Sequence, residues 1–289
     1  MKTGFVIVNF NDYETTEKII KNIYSYNIID EIVIVDNCST DDSYLHLLKL
    51  NDDKISIIKS DKNKGYASGM NIGAKYLIKK YGQCNIIFSN ADIIIHSEED
   101  IKNLIVTLNK DTTYGIVAPT IEERTGLNRG WKIPNPWQDS ILNLAYIHRY
   151  LRPKMLFYDE TYYNGLVSVE VVSGCFFCMR SDVLQKVNFF DENTFLYYEE
   201  NIIAKKLKQV GYKIMLHSDI FVFHNHSVTI DKSIHSIKKF KILKQSQIYF
   251  QKKYNNANSF QIFLLHLTNK ITLCFLNVIN FFEMVKCKK

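Results

Sequence analysis

Four places in the sequence carry side chains that could do chemistry, and each follows an apolar run. Asp92 closes Ile86-Ile87-Phe88-Ser89-Asn90-Ala91-Asp92, and Asp36 closes Ile32-Val33-Ile34-Val35. Glu199-Glu200 follow Phe195-Leu196-Tyr197-Tyr198, and His224 follows Phe221-Val222-Phe223. In open α/β sheets ligands sit outside the carboxyl ends of the strands. A carboxylate there with no neighbouring Lys or Arg suits a hard divalent cation held against a phosphate. The plainer reading of Asp92 is a turn capped by a short polar side chain. A neutral imidazole at a strand end is a common metal ligand, although a lone His is more often structural. Two acids in the first turn of a helix complement its dipole whatever else they do.

The elements that must position these groups follow from periodicity. Phe5-Val6-Ile7-Val8 reads as a buried strand ending at Asn9-Phe10-Asn11, and Asn11 with Glu14 has capping-box spacing ahead of a stripe of Ile19, Ile20, Ile23 and Tyr24. A second strand ends in Asp36-Asn37-Cys38-Ser39-Thr40-Asp41-Asp42, and a third, Ile55-Ser56-Ile57-Ile58, precedes the Asn- and Gly-rich segment 63–73. Met70, Ala74, Leu77, Ile78 and Tyr81 share one helical face, as do Ile101, Leu104, Ile105 and Leu108 after Asp92. Alternating strand and helix predicts an α/β fold, a mainly parallel twisted sheet flanked by helices.

Regularity fails over 120–165, where both tryptophans and three of the four prolines lie, with one helix expected at about 140–151. Trp131 and Trp137 there could stack on sugar rings or serve as packed anchors. A strand is expected from Val169 through Phe177, then a helix opened by Glu199-Glu200 and stopped at Gly211, then two short strands at 212–215 and 221–223.

Composition narrows the classes. The chain of 289 residues is 46% hydrophobic and 23% charged, as in soluble globular proteins. The first strand leads into Asn-Phe-Asn-Asp without glycine, so the dinucleotide fingerprint is missing and a nicotinamide oxidoreductase is excluded, although Asp36 occupies the place of a ribose-gripping acid. Cys175 and Cys178, the only close cysteine pair, lie in an apolar run and read as core thiols of a reducing cytoplasm. Asn9, Asn11 and Asp12 interrupt the first apolar run, which does not read as a signal peptide. The net charge of +6 divides unevenly: residues 232–289 hold eleven Lys and one acid, Glu283, for +10, so residues 1–231 sum to −4. That division argues against nucleic acid as a partner and for a basic tail meeting an anionic surface, most simply the inner leaflet of the cell membrane.

In order along residues 4–254, the motifs resemble inverting nucleotide-sugar glycosyltransferases of the GT-A fold, the large family 2 group, and especially its bacterial rhamnosyltransferase-like branch. Val6-Ile7-Val8-Asn9-Phe10-Asn11 is similar to the family's opening strand and turn, and Val35-Asp36-Asn37-Cys38-Ser39-Thr40-Asp41 to its nucleotide loop. Asn63-Lys64-Gly65-Tyr66-Ala67-Ser68-Gly69-Met70-Asn71-Ile72-Gly73 is close to the branch's Asn- and Gly-rich segment. Ser89-Asn90-Ala91-Asp92 stands where the branch carries Asn-Pro-Asp, its version of the metal-binding Asp-x-Asp. Ser173-Gly174 and Phe190-Asp191-Glu192 resemble the acceptor-side strand and loop, Glu199-Glu200 the acidic pair that holds the catalytic base, and His224 with Ser227 the late His of the metal site. Ala91 in place of Pro, Ile202 in place of a second acid, and Glu200 in place of the commoner Asp depart from the pattern.

The resemblance implies a metal-dependent hexosyltransferase that moves a sugar, rhamnose among the candidates, from a UDP- or dTDP-sugar to a saccharide or lipid-linked saccharide in capsule or O-antigen synthesis. It implies a divalent cation, Mg²⁺ or Mn²⁺, on Asp92 and His224, and Glu199 or Glu200 as base. It implies a donor pocket from Val8, Asn9, Asn11, Asp36, Asn37, Ser39, Gly65, Asn71 and Asn90. A catalytically silent nucleotide- or glycan-binding relative is the alternative, motivated by Asn90 and Ile202. The expected division is a glycosyltransferase domain over 1–231, with a nucleotide-sugar half to 120 and an acceptor half beyond it. Residues 232–289 form a basic, amphipathic helical tail. The tail's basic-apolar mix over 237–253 and the Phe-, Leu- and Ile-rich residues 259–285, divided by Lys270, predict a peripheral protein held at the inner membrane face by an in-plane anchor rather than a span, with packing on the catalytic domain or on a second subunit as the alternative.

Overall fold

The computed structural model describes residues 1–144, 147–225 and 236–286. Its first half alternates as the periodicity predicts: β1 (Lys2–Asn9), α1 (Tyr13–Ile23), β2 (Glu31–Asp36), α2 (Ser43–Leu48), β3 (Ile55–Lys59), α3 (Tyr66–Tyr81), β4 (Cys84–Ser89), β5 (Ile93–Ile95), α4 (Glu98–Lys110) and β6 (Tyr114–Glu123). The second half contains β7 (Gly126–Asn128), α5 (Pro136–Leu142), α6 (Ile147–Leu156), β8 (Leu166–Val169), β9 (Phe176–Arg180), α7 (Ser181–Lys186), α8 (Glu199–Gln209) and β10 (Lys213–His224). Two helices end the chain, α9 (Ser236–Tyr254) and α10 (Ser259–Lys286).

The sheet runs β3-β2-β1-β4-β9-β6-β10-β5, with β7 beside β6 and β8 beside β10. The first four strands in that order are parallel, β9 enters antiparallel between β4 and β6, and β6 with β10 is parallel again. Both faces are covered, so strand residues alternate between two cores rather than between core and water. Val6 joins Val33, Val35 and the α3 residues Met70, Ala74 and Leu77 on one side. Phe5 and Ile7 join Ile19, Ile20 and Ile23 of α1 and Leu104 and Leu108 of α4 on the other.

The structure corrects four local expectations. The helix expected at 140–151 is two helices, and α5 starts earlier because Asn135 and Gln138 form a reciprocal capping box ahead of Pro136. The strand expected through 169–177 is split: β8 lies against β10, and residues 170–175 cross to β9 in mid-sheet. The two short strands near 212–223 are one, β10, because His217 faces Pro119 while Phe221 faces Thr120, so residues 218–220 bulge out. The bulge is stitched down by Thr120 Oγ1 donating to the Ser218 carbonyl at 3.0 Å and by Ser218 N donating to the Gly165 carbonyl at 2.8 Å. The Asn11–Glu14 capping box does not form: Asp12 precedes α1, and Asn11 sits at φ +53° with its side chain turned to Thr40.

The tail begins as part of the globular body. Phe250 of α9 is fully buried with Tyr198 and Ile202 of the α8 region, and Leu243, Tyr249 and Tyr254 pack against them. Packing on the catalytic domain, the alternative held open for the basic-apolar stripe, is what α9 does.

Candidate active site

Parallel pairing puts Asn9 of β1 opposite Asp36 of β2 at the carboxyl edge. Asp36 is fully buried and accepts from Asn9 Nδ2 at 3.0 Å, from Ser39 Oγ at 2.5 Å and from Ser39 N at 3.1 Å. Asn11 Oδ1 accepts from Thr40 N at 2.8 Å, which ties the first two strand ends together. Asn37 donates to Asn63 Oδ1 and to the Gly65 carbonyl, both at 3.1 Å, and its own Oδ1 is a buried acceptor without a partner among the described residues. Five expected donor-pocket residues, Asn9, Asn11, Asp36, Asn37 and Ser39, therefore form one hydrogen-bonded rim.

Gly65 follows on this rim at φ +100°, where a Cβ would lie 2.1 Å from the Phe195 carbonyl oxygen. Only glycine fits that backbone and that approach. Tyr66 N then donates to the same carbonyl at 3.0 Å, so the start of α3 is pinned to the loop ahead of α8. Val8 packs on Gly69, where a Cβ would come 2.6 Å from Val8 Cγ1. Asn71 departs from its expected company. Its amide donates to the Phe190 carbonyl at 3.0 Å and to Glu192 Oε1 at 2.8 Å, and accepts from Phe190 N at 3.0 Å. It holds the acceptor-side loop rather than opening onto the rim.

Asp92 and His224 meet although 132 positions separate their numbers. Antiparallel pairing of β5 with β10 sets Ile93 opposite His224, and Asp92 immediately precedes that pair. His224 Nε2 lies 3.1 Å from Asp92 Oδ1, and both side chains are almost wholly shielded from water. Burial alone would push the imidazole down, but hydrogen bonds to Asp92 and Cys175 outweigh it and raise it to about 10. Asn90 N donates to the Cys175 carbonyl at 2.8 Å, which seats the turn beside this cysteine. Cys175 and Cys178 are both buried free thiols, as expected of core cysteines. Ser227 lies outside the described residues.

One carboxylate and one imidazole suit Mg²⁺ or Mn²⁺ that takes its remaining oxygens from phosphate and water. Among the described residues no group of three or more His, Cys, Asp or Glu is placed to hold a metal ion, so the pair would supply two of about six ligands. Cation binding there would displace the imidazole proton.

Glu199 and Glu200 open α8 behind Tyr198, a residue in the left-handed region at φ +69°. Glu199 is buried and its Oε1 has no partner among the described residues. Glu200 is more open and lies over Gly174, where a Cβ would sit 3.6 Å from its Oε2. Burial, and for Glu199 also the neighbouring Glu200 charge, holds both carboxyls above the ordinary carboxylate value. Tyr66 joins them: its hydroxyl is buried and unpartnered among the described residues. Burial first, then the charges of Cys175, Glu199, Asp92 and Glu200, keep that phenol protonated. The two clusters approach each other at neighbouring residues, since Glu200 lies over Gly174 and His224 bonds Cys175. Tyr66 stood inside a recognised motif, yet nothing in its spacing marked the hydroxyl.

A polar support that the sequence did not reveal lies behind the start of α8. Tyr198 donates its hydroxyl to buried Asp139 Oδ2 at 2.9 Å, and Gln251 Nε2 donates to the same oxygen at 2.6 Å and to the Pro134 carbonyl at 3.0 Å. Ser246 Oγ donates to the Leu196 carbonyl at 2.7 Å. Asp191 accepts from Tyr249, Lys253 and Tyr254, so α9 grips the loop leading to α8 at both ends. Trp131 is an anchor, donating from Nε1 to Asn201 Oδ1 at 3.1 Å, whereas Trp137 is half exposed.

Comparison with known proteins agrees with the fold. The chain is 27% identical over 226 residues to the low-salt glycan biosynthesis hexosyltransferase Agl10 of Haloferax volcanii, covering 78% of this chain and 67% of that one. It is 25% identical over 231 residues to the O-antigen chain rhamnosyltransferase RfbN of Salmonella typhimurium, covering 79% and 68%. Among solved structures, the fold is similar to the mannosyltransferase PcManGT from Pyrobaculum calidifontis in complex with GDP-Man and Mn²⁺. That match has a TM-score of 0.59 at 16% identity, over 94% of this chain and 72% of that one. It is also similar to GalNAc-T7 with UDP, GalNAc and Mn²⁺, with a TM-score of 0.57 at 17% identity, over 79% and 44%. The family model Glycosyl transferase family 2 matches residues 5–187, well over half of the chain, and the chain belongs to that family.

Proposed function

We propose that this glycosyltransferase moves a hexose from a nucleoside-diphosphate sugar to a saccharide hydroxyl in surface-glycan synthesis, by single displacement with inversion. One observation carries the reading: the Asp92–His224 pair and the Glu199–Glu200 pair, from strand and helix ends far apart in sequence, meet at adjacent residues, Glu200 over Gly174 and His224 against Cys175, within electrostatic reach of the buried Tyr66 hydroxyl. The rim of Asn9, Asp36, Asn37 and Ser39 would receive the nucleoside. A divalent cation on Asp92 and His224 would offset the charge that develops on the departing diphosphate. Glu200, the more open carboxylate, would take the proton of the attacking hydroxyl, and its raised affinity for that proton suits a general base working near neutral pH. Tyr66 can donate to an oxygen in the same space. The named glycan and O-antigen transferases among the relatives support the substrate class. Incubation with UDP-, dTDP- and GDP-sugars and Mg²⁺ or Mn²⁺ tests the proposal. Release of nucleoside diphosphate with one donor, abolished by EDTA, is expected, and no turnover with any donor–acceptor pair would overturn it.

The pair also sets a pH dependence. Because both carboxyls bind protons more tightly than a free Glu, the competent base form grows as pH rises through their elevated range, and activity is lost on the acid side. The acid limb of kcat/KM, followed from about pH 5 to about pH 10, is expected well above the ordinary value of 4.5. Glu199→Gln mimics the protonated neighbour, because burial rather than the Glu199 charge raises Glu200, so it should leave this limb in place with activity retained. A limb at the ordinary carboxylate value in the unsubstituted protein would contradict the assignment.

A further inference from the structure

Helix α10 keeps polar groups on its inward side, set against α5 and the chain just beyond it, beside half-buried Ile262 and Leu276. Asn269 and Thr272 are buried there beside Leu265, Thr272 Oγ1 donates to the Asn143 carbonyl, and Asn143 Nδ2 reaches Thr268 Oγ1 at 3.4 Å. The opposite side is apolar and open: Phe260 and Phe263 are each 58% exposed, Ile271 51% and Val278 53%, with Leu267 and Phe275 between them. At 3.6 residues per turn these positions form one continuous stripe about 120° wide. Lys270, His266 and Asn277, all exposed, line one flank of it. Half-exposed Trp137 of α5 extends the stripe, its ring centroid 6.0 Å from that of Phe260. Soluble monomers rarely leave so continuous an aromatic and aliphatic strip in water.

We infer that α10 is an in-plane membrane-docking helix: the catalytic body rides on its polar back, and the stripe from Phe260 to Val278, with Trp137, enters the interface of an anionic bilayer. The polarity of the two sides supplies the orientation, since the side facing the protein is the one that needs hydrogen-bond partners. Charge supplies the lipid class: residues 232–289 carry eleven Lys against one acid, and Lys238, Lys241, Lys252 and Lys270 are exposed. Aromatic residues at the stripe's edge and a cation on its flank fit headgroup depth. A second copy of the chain is the less favoured occupant, because a two-helix seam needs only a narrow a/d strip. By length and hydropathy the helix could cross a bilayer, but it cannot do so while its back is bonded to Asn143. The anchoring element is thus α10, the apolar stretch divided by Lys270, while the Lys-rich stretch before it became α9 and packs on the body.

Flotation of the full chain with vesicles of 70:30 phosphatidylcholine and phosphatidylglycerol tests this. The chain should float, less strongly with pure phosphatidylcholine or raised salt, and should be released by alkaline carbonate. The pair of substitutions Phe263→Glu and Ile271→Glu, at exposed positions that leave the fold unchanged by circular dichroism, should weaken partition at least about tenfold. Val106→Glu, on the equally exposed face of α4, should leave it unchanged. Full retention in the aqueous phase, equal flotation of the double variant, or resistance to carbonate would each overturn the proposal. So would a lipid-free dimer that Ile271→Glu dissolves. Sugar transfer is not read at any point, so the outcome is independent of the proposed activity.

Discussion

Glu200→Gln is expected to lower kcat by about 10²–10⁴-fold while leaving donor affinity within a few-fold, because it keeps the side chain's size and removes its ability to hold a proton. The position is suited to this test. The carboxylate lies over Gly174 and accepts a long, 3.4 Å contact from Asn201 Nδ2 and a bond from its own backbone N–H, and an amide oxygen there keeps both. Glu199→Gln should act differently. Its buried, unpartnered Oε1 is already a strained acceptor, and replacing the acid with an amide relieves desolvation and repulsion together, so folding should be as stable or more so. Single-turnover kinetics with saturating donor separates the two. A dead Glu199→Gln beside an active Glu200→Gln would reverse the roles, and two fully active variants would favour a binding protein over an enzyme.

Asp92→Ala should cost as much through a different route. Without the carboxylate, His224 loses the partner that holds its proton and the cation loses its hard ligand, so turnover should fall at least about 10²-fold. The fold should survive, since the Asp92 backbone carbonyl keeps its bond from Asn225 N at 3.0 Å. Titration of Mn²⁺ in the presence of a nucleoside diphosphate should show affinity reduced by about 10–100-fold. Wild-type turnover of Asp92→Ala in excess EDTA would remove the cation from the reading altogether.

How much of this was visible in the sequence depends on the range of the interactions. The strand ends at Asn9, Asp36 and Asp92 were legible because a buried strand breaks abruptly into short polar residues, and the opening of α8 at Glu199 because an aromatic run gives way to two acids. The meeting of Asp92 with His224 rests on β5, three residues long and too short to leave a periodic signal. The antiparallel entry of β9 was hidden because a strand buried on both faces reads the same in either direction. Asn71 shows the limit of motif reading. Its place in the segment was recognisable, but its partners, Phe190 and Glu192, lie about 120 positions away. The Asp139 support is still less legible, because a buried acid in an irregular stretch looks like any surface residue until Tyr198 and Gln251 close on it.

That support has a consequence for the order in which the protein comes into being. A nascent chain delivers the parallel β3-β2-β1-β4 half first, and its contacts are short-range enough to form while synthesis continues. Gln251 and Ser246, which hold Asp139 and the Leu196 carbonyl, leave the ribosome only after α8 and β10 have done so. Until then Asp139 is an acid bound for burial without its amide partner, and the left-handed turn at Tyr198 that aims Glu199 and Glu200 lacks its backing. The rim at Asn9 and Asp36 should therefore exist well before the acidic pair is in place. A chain halted at residue 231 should protect its β1–β4 amides from hydrogen exchange yet fail to protect the start of α8, and equal protection of both would show that the late helix only decorates a finished centre.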